Sequence, residues 1–167
     1  SLGYRIVIDC LLFYGCSPEV VTNQGTALHS VLKAVHSKYI EEDQGAIVME
    51  SLVRKGCPIE AVSHGDKTAF FRAVETGNLT AARMLYKHGA DINKKEQNCF
   101  SPLYMAAING DLRLVRFLLS CPQVDVNASD SCGRTPLVAS LITITNTFRY
   151  ERMPSDAFLD ADAKELH

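Results

Sequence analysis

KTAFFRAVETGNLTAARMLYKHGADINK at residues 67–94 and FSPLYMAAINGDLRLVRFLLSCPQVDVNA at residues 100–128 are two versions of one passage. Thr68 and Ser101 stand 33 residues apart, as do Gly77 and Gly110. Asp91-Ile92-Asn93 returns as Asp125-Val126-Asn127 after 34, one extra residue having entered the 121–124 loop. Self-similarity at this period points to a solenoid, whose units cannot bury their apolar faces singly and have to stack.

Each version reads as two short helices. Thr68 is placed to cap a first helix whose apolar side is Ala69, Phe70, Ala73 and Val74. Gly77-Asn78 breaks it, and Leu79, Ala82, Met84 and Leu85 give a second helix its buried side, closed at Gly89 by a left-handed residue. In the second version Ser101 caps, Pro102 takes the first helical position and Gly110-Asp111 makes the turn. Leu112, Val115, Leu118 and Leu119 then recur at helical spacing.

These residues resemble the ankyrin repeat, whose pattern runs T-P-L-H-x-A-A, a glycine turn, L-x-x-V-x-x-L-L, then G-A-D-x-N. The likeness is carried by Thr68-Ala69-Phe70 with Gly89-Ala90-Asp91-Ile92-Asn93, and by Ser101-Pro102-Leu103 with Ala106-Ala107, Leu118-Leu119 and Asp125-Val126-Asn127. It implies an all-α ankyrin-repeat solenoid of stacked helix-turn-helix units with short hairpin loops.

On that frame the 167 residues divide into a partial repeat at 1–22, repeats at 23–62, 63–95 and 96–128, and a divergent unit at 129–167. Residues 2–22 read as an outer helix and loop, with Ile6, Val7, Ile8, Leu11 and Leu12 apolar; a chain opening inside a helix is expected to be a fragment of a longer protein. Gly25-Thr26-Ala27-Leu28-His29 opens the next unit and keeps the family histidine, and residues 46–55 read as its outer helix. His29 lies 27 residues before Gly56, against 18 from Phe71 to Gly89, so this unit carries about nine extra residues at 36–45. They either lengthen the helices or form a projecting loop.

Gly133-Arg134-Thr135-Pro136-Leu137 opens the last unit, with residues 138–142 as its inner helix. Residues 143–154 read as irregular, Ser155 as a cap, and 155–167 as a displaced outer helix or an acidic tail. The family histidine is replaced by Phe71, Tyr104 and Val138, where apolar packing is expected to stand in for its hydrogen bonds. Asp66 and Cys99 occupy a hairpin-glycine position, so altered turns are expected there.

Composition narrows the chemistry. The net charge is −2 and no apolar run approaches a membrane span of ~18 residues, so neither nucleic acid nor membrane is expected as a partner. Cys10, Cys16, Cys57, Cys99, Cys121 and Cys132 are scattered without a C-x-x-C pair, which implies free thiols and an intracellular, reducing location. Cys16 and Cys57 fall in the small slot filled elsewhere by Ala90. Cys57, His64 and His88 lie in loops, but the repeat register gives each an ordinary place, so no catalytic residue is expected. Glu41-Glu42-Asp43 lacks the alternating ligands of a calcium loop, and Lys94-Lys95 is followed at once by Glu96, an ordinary charged surface. No phosphate-binding glycine motif occurs, and no metal, cofactor or small-molecule substrate is expected. Asn93 and Asn127 sit eight residues after Leu85 and Leu119, a spacing resembling hydroxylated ankyrin asparagines; the residues themselves read as turn residues tying down a loop.

The resemblance therefore implies a module that binds a protein partner through a concave face. Its fingertips would be Asn23, His64, Lys67, Asn98, Phe100, Ser131 and Arg134, and the exposed ends of its inner helices Lys33, Glu75, Thr76, Ile108 and Asn109. Phe100 flanked by Lys67 and Arg134 implies an acidic strip with an apolar centre on the partner. The other readings are a regulatory or substrate-positioning segment of a larger enzyme or signalling protein, and a structural spacer.

Overall fold

The computed structural model describes residues 2–151. The elements in order are α1 (Leu2–Phe13), α2 (Ala27–His36), α3 (Glu42–Arg54), β1 (Val62–Ser63), β2 (Lys67–Thr68), α4 (Ala69–Glu75), α5 (Leu79–Lys87), α6 (Pro102–Ile108), α7 (Leu112–Leu119) and α8 (Pro136–Glu151). They form two rows. The inner row is α2, α4, α6 and α8, each packed on the next. The outer row runs α1, α3, α5 and then α7, where Tyr86 of α5 meets Phe117 of α7 edge to face at 5.8 Å. The β1–β2 pair is a single antiparallel hairpin projecting beside the inner row.

Local chemistry sets the helix ends. Thr68 Oγ1 accepts from the Phe71 N–H at 3.1 Å, and Ser101 Oγ from the Tyr104 N–H at 3.1 Å. Asn78 Oδ1 accepts from the Ala81 N–H at 2.8 Å and Asp111 Oδ1 from the Arg113 and Leu114 N–H groups at 3.0 and 3.2 Å. Each such cap satisfies an end donor and stabilises its helix by about 1 kcal/mol. The core between the rows is Leu28, Met49, Phe70, Leu85, Leu114 and Leu118, all but closed to solvent.

The extra residues at 36–45 lengthen the helices. α2 has ten residues where α4 has seven, α3 thirteen where α5 has nine, and the 37–41 connection five where 76–78 has three. Such long neighbours pack this closely only because Gly45 is buried against Val35, where a Cβ would collide with the valine.

Several expectations are corrected. Residues 143–151 are not irregular: α8 runs unbroken to Glu151. Gly77 and Gly110 come nine residues after their capping hydroxyls, and the same step from Thr135 reaches Ile144, so nothing breaks the helix there. The Ser155 cap and the two readings of 155–167 lie outside the described residues. On α7 the buried side is Leu114, Phe117 and Leu118, whereas Leu112 and Leu119 are exposed because no outer helix follows α7 among the described residues. Similarly, Leu137 and Leu141 at the far end and Ile6, Val7 and Leu11 at the near end are exposed. Cys57 is buried in the Ala90 slot, but Cys16 is exposed.

The hairpin turns at Asp66 and Cys99 are not altered either. Both residues adopt the glycine conformation itself, with φ of 57° and 64°, as Gly133 does at 75°. An aspartate tolerates this region better than a cysteine. Cys99→Gly should therefore raise the unfolding free energy in urea, by up to about 1 kcal/mol, and by more than Asp66→Gly does. Gly45→Ala should behave in the opposite sense to an ordinary helix glycine, lowering stability by about 1–3 kcal/mol in the same assay.

Candidate functional site

The face formed by the inner row and the hairpin tips is built from a polar frame. Its first member is His29, the family histidine, which is buried. Its Nδ1 lies 3.1 Å from both the Thr26 N–H and Thr26 Oγ1, and its Nε2 3.0 Å from the Lys67 carbonyl of the next hairpin. That set fits one neutral tautomer, Nδ1 accepting and Nε2–H donating across the unit boundary. Burial pushes its pKa below the usual histidine value, against the Lys67 carbonyl, and the Arg72 charge adds to the lowering.

The second member is the residue five before each capping hydroxyl. In three successive hairpins this is Ser63, Glu96 and Asp130. Ser63 Oγ donates to the Lys67 carbonyl at 3.1 Å. Glu96 is not surface charge as its place after Lys95 implied. It is buried, accepting from the Asn98 N–H at 2.7 Å, the Phe100 N–H at 3.2 Å and Asn98 Nδ2 at 3.1 Å. Asp130, with its side chain closed to solvent, accepts from the Cys132 and Arg134 N–H groups at 2.8 and 2.9 Å, from Arg134 Nε at 2.7 Å and from the Tyr104 hydroxyl at 2.8 Å. Burial opposes the Asp130 charge, but these donors outweigh it and hold its pKa at about 2.

Tyr104 therefore does not exchange the family histidine's bonds for apolar packing; its phenol makes the same kind of bridge to the next unit. Phe71 is buried as expected, while Val138 is largely exposed.

Of the expected face residues, Lys67 and Glu75 are joined at 2.6 Å, and Arg72 Nη1 reaches the other Glu75 oxygen at 2.8 Å. Glu75 is half-buried, which opposes its charge; the two cations prevail and lower its pKa. Asn109 Nδ2 donates to the Glu75 carbonyl at 3.3 Å, and Thr76 Oγ1 donates to the Arg72 carbonyl at 2.8 Å. Lys33, Glu75 and Thr76 line one open cleft of about 650 Å³, together with Arg72 and His36, which the sequence reading passed over. Their spacing along α2 and α4, three residues apart in each case, was the available signal.

The remaining positions are not gathered into one patch. Asn23, His64 and Ser131 stand exposed at their own tips, and Ile108 is half-buried at the end of α6. Asn98 folds back on Glu96. Phe100 stacks on Tyr104 with ring centres 4.8 Å apart and planes within 5°. The two cations expected to flank Phe100 both carry a carboxylate of their own, Lys67 on Glu75 and Arg134 on Asp130. On the opposite side, Asn93 acts as the expected loop tie: Nδ2 donates to the Gln123 carbonyl at 2.7 Å and Oδ1 accepts from the Asp125 N–H at 2.8 Å.

Two rows of stacked helical hairpins with capped, bridged tips define a repeat solenoid. The units at residues 70–119 are ankyrin repeats, matching the family model described as "Ankyrin repeats (many copies)". Similar stretches occur in putative glutaminase 2 of Caenorhabditis elegans, 36% identical over 67 residues, which is 40% of this chain and 11% of that protein. Protein phosphatase 1 regulatory subunit 27 of Mus musculus is 30% identical over 78 residues, 47% of this chain and 50% of that protein. Alpha-latrotoxin-Lg1a of Latrodectus geometricus is 27% identical over 129 residues, 76% of this chain and 9% of that protein. The chain thus spans from under a tenth to half of these relatives' own length. Among the described residues, no helix is long and apolar enough to cross a membrane.

The neutral, buried His29 has a measurable consequence. An unfolded histidine takes up a proton below a pKa of about 6.5, whereas the folded one resists until lower pH. Its contribution is complete above that value and is lost as pH falls through it towards the folded pKa. Urea titrations should show stability falling below pH 6.5 by at most about 1.4 kcal/mol per pH unit from this group, and His29→Gln should flatten that slope.

Proposed function

We propose that this chain is a protein-interaction module that grips one folded partner on the concave side made by the hairpin tips and inner helices. The observation that carries this reading is the hydrogen-bonded bracing of that side. Every hairpin tip between residues 62 and 135 is tied internally, through Ser63, Glu96 or Asp130, and His29 and Tyr104 bond across unit boundaries. A surface preformed in this way loses little conformational freedom on binding. Ankyrin repeats are in general protein-interaction modules, and the phosphatase regulatory subunit is one carrier of a similar stretch.

The contact residues on this reading are the exposed tips Asn23, His64, Asn98 and Ser131, the half-exposed Phe100, and Lys33, Thr76, Ile108 and Asn109 on the inner row. Glu75, Lys67 and Arg134 shape the face while paired among themselves or with Asp130. Free thiols at all six cysteines fit an intracellular setting. The second reading, a regulatory segment of a larger enzyme, uses the same face and draws on the glutaminase likeness.

Arg134→Ala is a poor probe, since it strips a buried carboxylate of its cation. Phe100→Ala and Asn109→Arg avoid this. Quantitative affinity capture with the native protein, with these two variants and with Lys87→Glu on the outer row should show one set of proteins depleted by both concave substitutions and retained by the outer one. Equal recovery by all four would refute the concave-face assignment.

A further inference from the structure

We propose that the step between α2 and α4 is the seat for an acidic segment of the partner, a stretch of chain bearing several Asp or Glu side chains laid across Lys33, His36 and Arg72. This rests on the concave-face reading and specifies the chemistry that part of the face accepts.

The geometry begins with the lengthened helices. Three extra residues carry α2 beyond the end of α4, so His36 and the 37–41 connection overhang Thr76. The regular inner row thereby acquires a ledge. On one side of it lies the 650 Å³ cleft and on the other a second of about 430 Å³, and His36 and Thr76 line both, so the two adjoin at the overhang. The larger cleft is open along its length, so it accepts a few residues of extended chain and does not enclose a small molecule on all sides.

Charge decides the occupant. Lys67 and Arg72 share one carboxylate, Glu75, leaving an excess of one positive charge. Lys33, exposed on the same cleft, has no carboxylate within ion-pair distance among the described residues; with Arg72 and Glu75 it gives the cleft lining an excess of one positive charge, and Lys67, paired with the same Glu75 outside that lining, adds a second close by. Further along the inner row, among the described residues, α6 has no charged side chain and Arg134 is neutralised by Asp130. The chain as a whole is net negative by 2, so the cleft reverses the sign of its surroundings. A local reversal of this kind attracts and orients an oppositely charged segment. In the smaller cleft Glu41 and Glu42 outnumber Lys38 and repel carboxylates, which ends the acidic stretch at the overhang.

The test is selection of displayed random dodecapeptides on the native chain, with fluorescence anisotropy of the recovered peptides and of an oligothymidylate on wild type and variants. Asp- and Glu-rich sequences should be recovered, with Kd raised about tenfold by Lys33→Glu, less by Lys33→Gln, and unchanged by Lys87→Glu. Affinity should also fall as salt rises. Circular dichroism confirms that each variant is folded, which substitution of an exposed side chain permits. Neutral or basic peptides lost through Phe100→Ala yet indifferent to Lys33→Glu would sink the acidic seat and leave the concave-face reading standing. Peptides indifferent to Phe100→Ala, Asn109→Arg and Lys33→Glu alike, or no binder at all, would sink both. Oligothymidylate binding more tightly than any peptide, and lost through Lys33→Glu, would overturn the choice of occupant.

Discussion

No hairpin in this protein can hold its shape alone. α4 and α6 have seven residues each, well short of the length at which an isolated helix persists in water. They are helical because Phe70, Ala73 and Val74 on one side and Leu103 and Ala106 on the other are pressed between neighbours and lose nearly all their exposure. Burial of one phenylalanine side chain contributes about 1.5–3 kcal/mol, more than a short helix gains from its own backbone bonds. Stacking between nearest neighbours is therefore the constraint from which both rows, and the face they present, follow. Where a neighbour is missing among the described residues, at α1, α7 and α8, apolar side chains stay in solvent.

The tips answer a different demand. A tight hairpin leaves backbone N–H groups pointing inward, and each needs an acceptor. Glu96 and Asp130 meet that need, and Asp130 draws in Arg134 and Tyr104 as well, whereas Ser63 braces its own tip in the other sense by donating to the Lys67 carbonyl. The outcome bears on recognition. A cation already held by a buried carboxylate offers a partner little net charge, whereas Lys33 keeps its charge on the surface. Regular packing thus makes the platform, and the irregular unit with its longer α2 and α3 gives that platform an individual feature. The two are linked by one residue, since without the missing side chain of Gly45 the longer helices could not lie against each other.

Much of the architecture was legible in the residues. The period, the capping hydroxyls at Thr68 and Ser101, Pro102 at a helix start and the breaks at Gly77 and Gly110 all appear in the structure where the text of the chain put them. The unbroken α8 was legible too: Ile144 occupies the step at which a glycine breaks α4 and α6. The candidate site was less legible. Lys67, Phe100 and Arg134 look alike as exposed anchors in the sequence, yet one pairs with Glu75, one stacks on Tyr104 and one is bound to Asp130.

The sequence by itself determined the repeat and, in the two regular units, where the helices start and break, because caps, glycine breaks and apolar spacing act through backbone groups only a few residues away. It also located the extra residues at 36–45. Only the tertiary structure decided that those residues lengthen two helices, that Glu96 lies buried, and which cations are already spent on internal carboxylates. Those outcomes depend on pairs such as Tyr104 with Asp130 or His29 with Lys67, 26 and 38 residues apart, which meet only after the units have stacked.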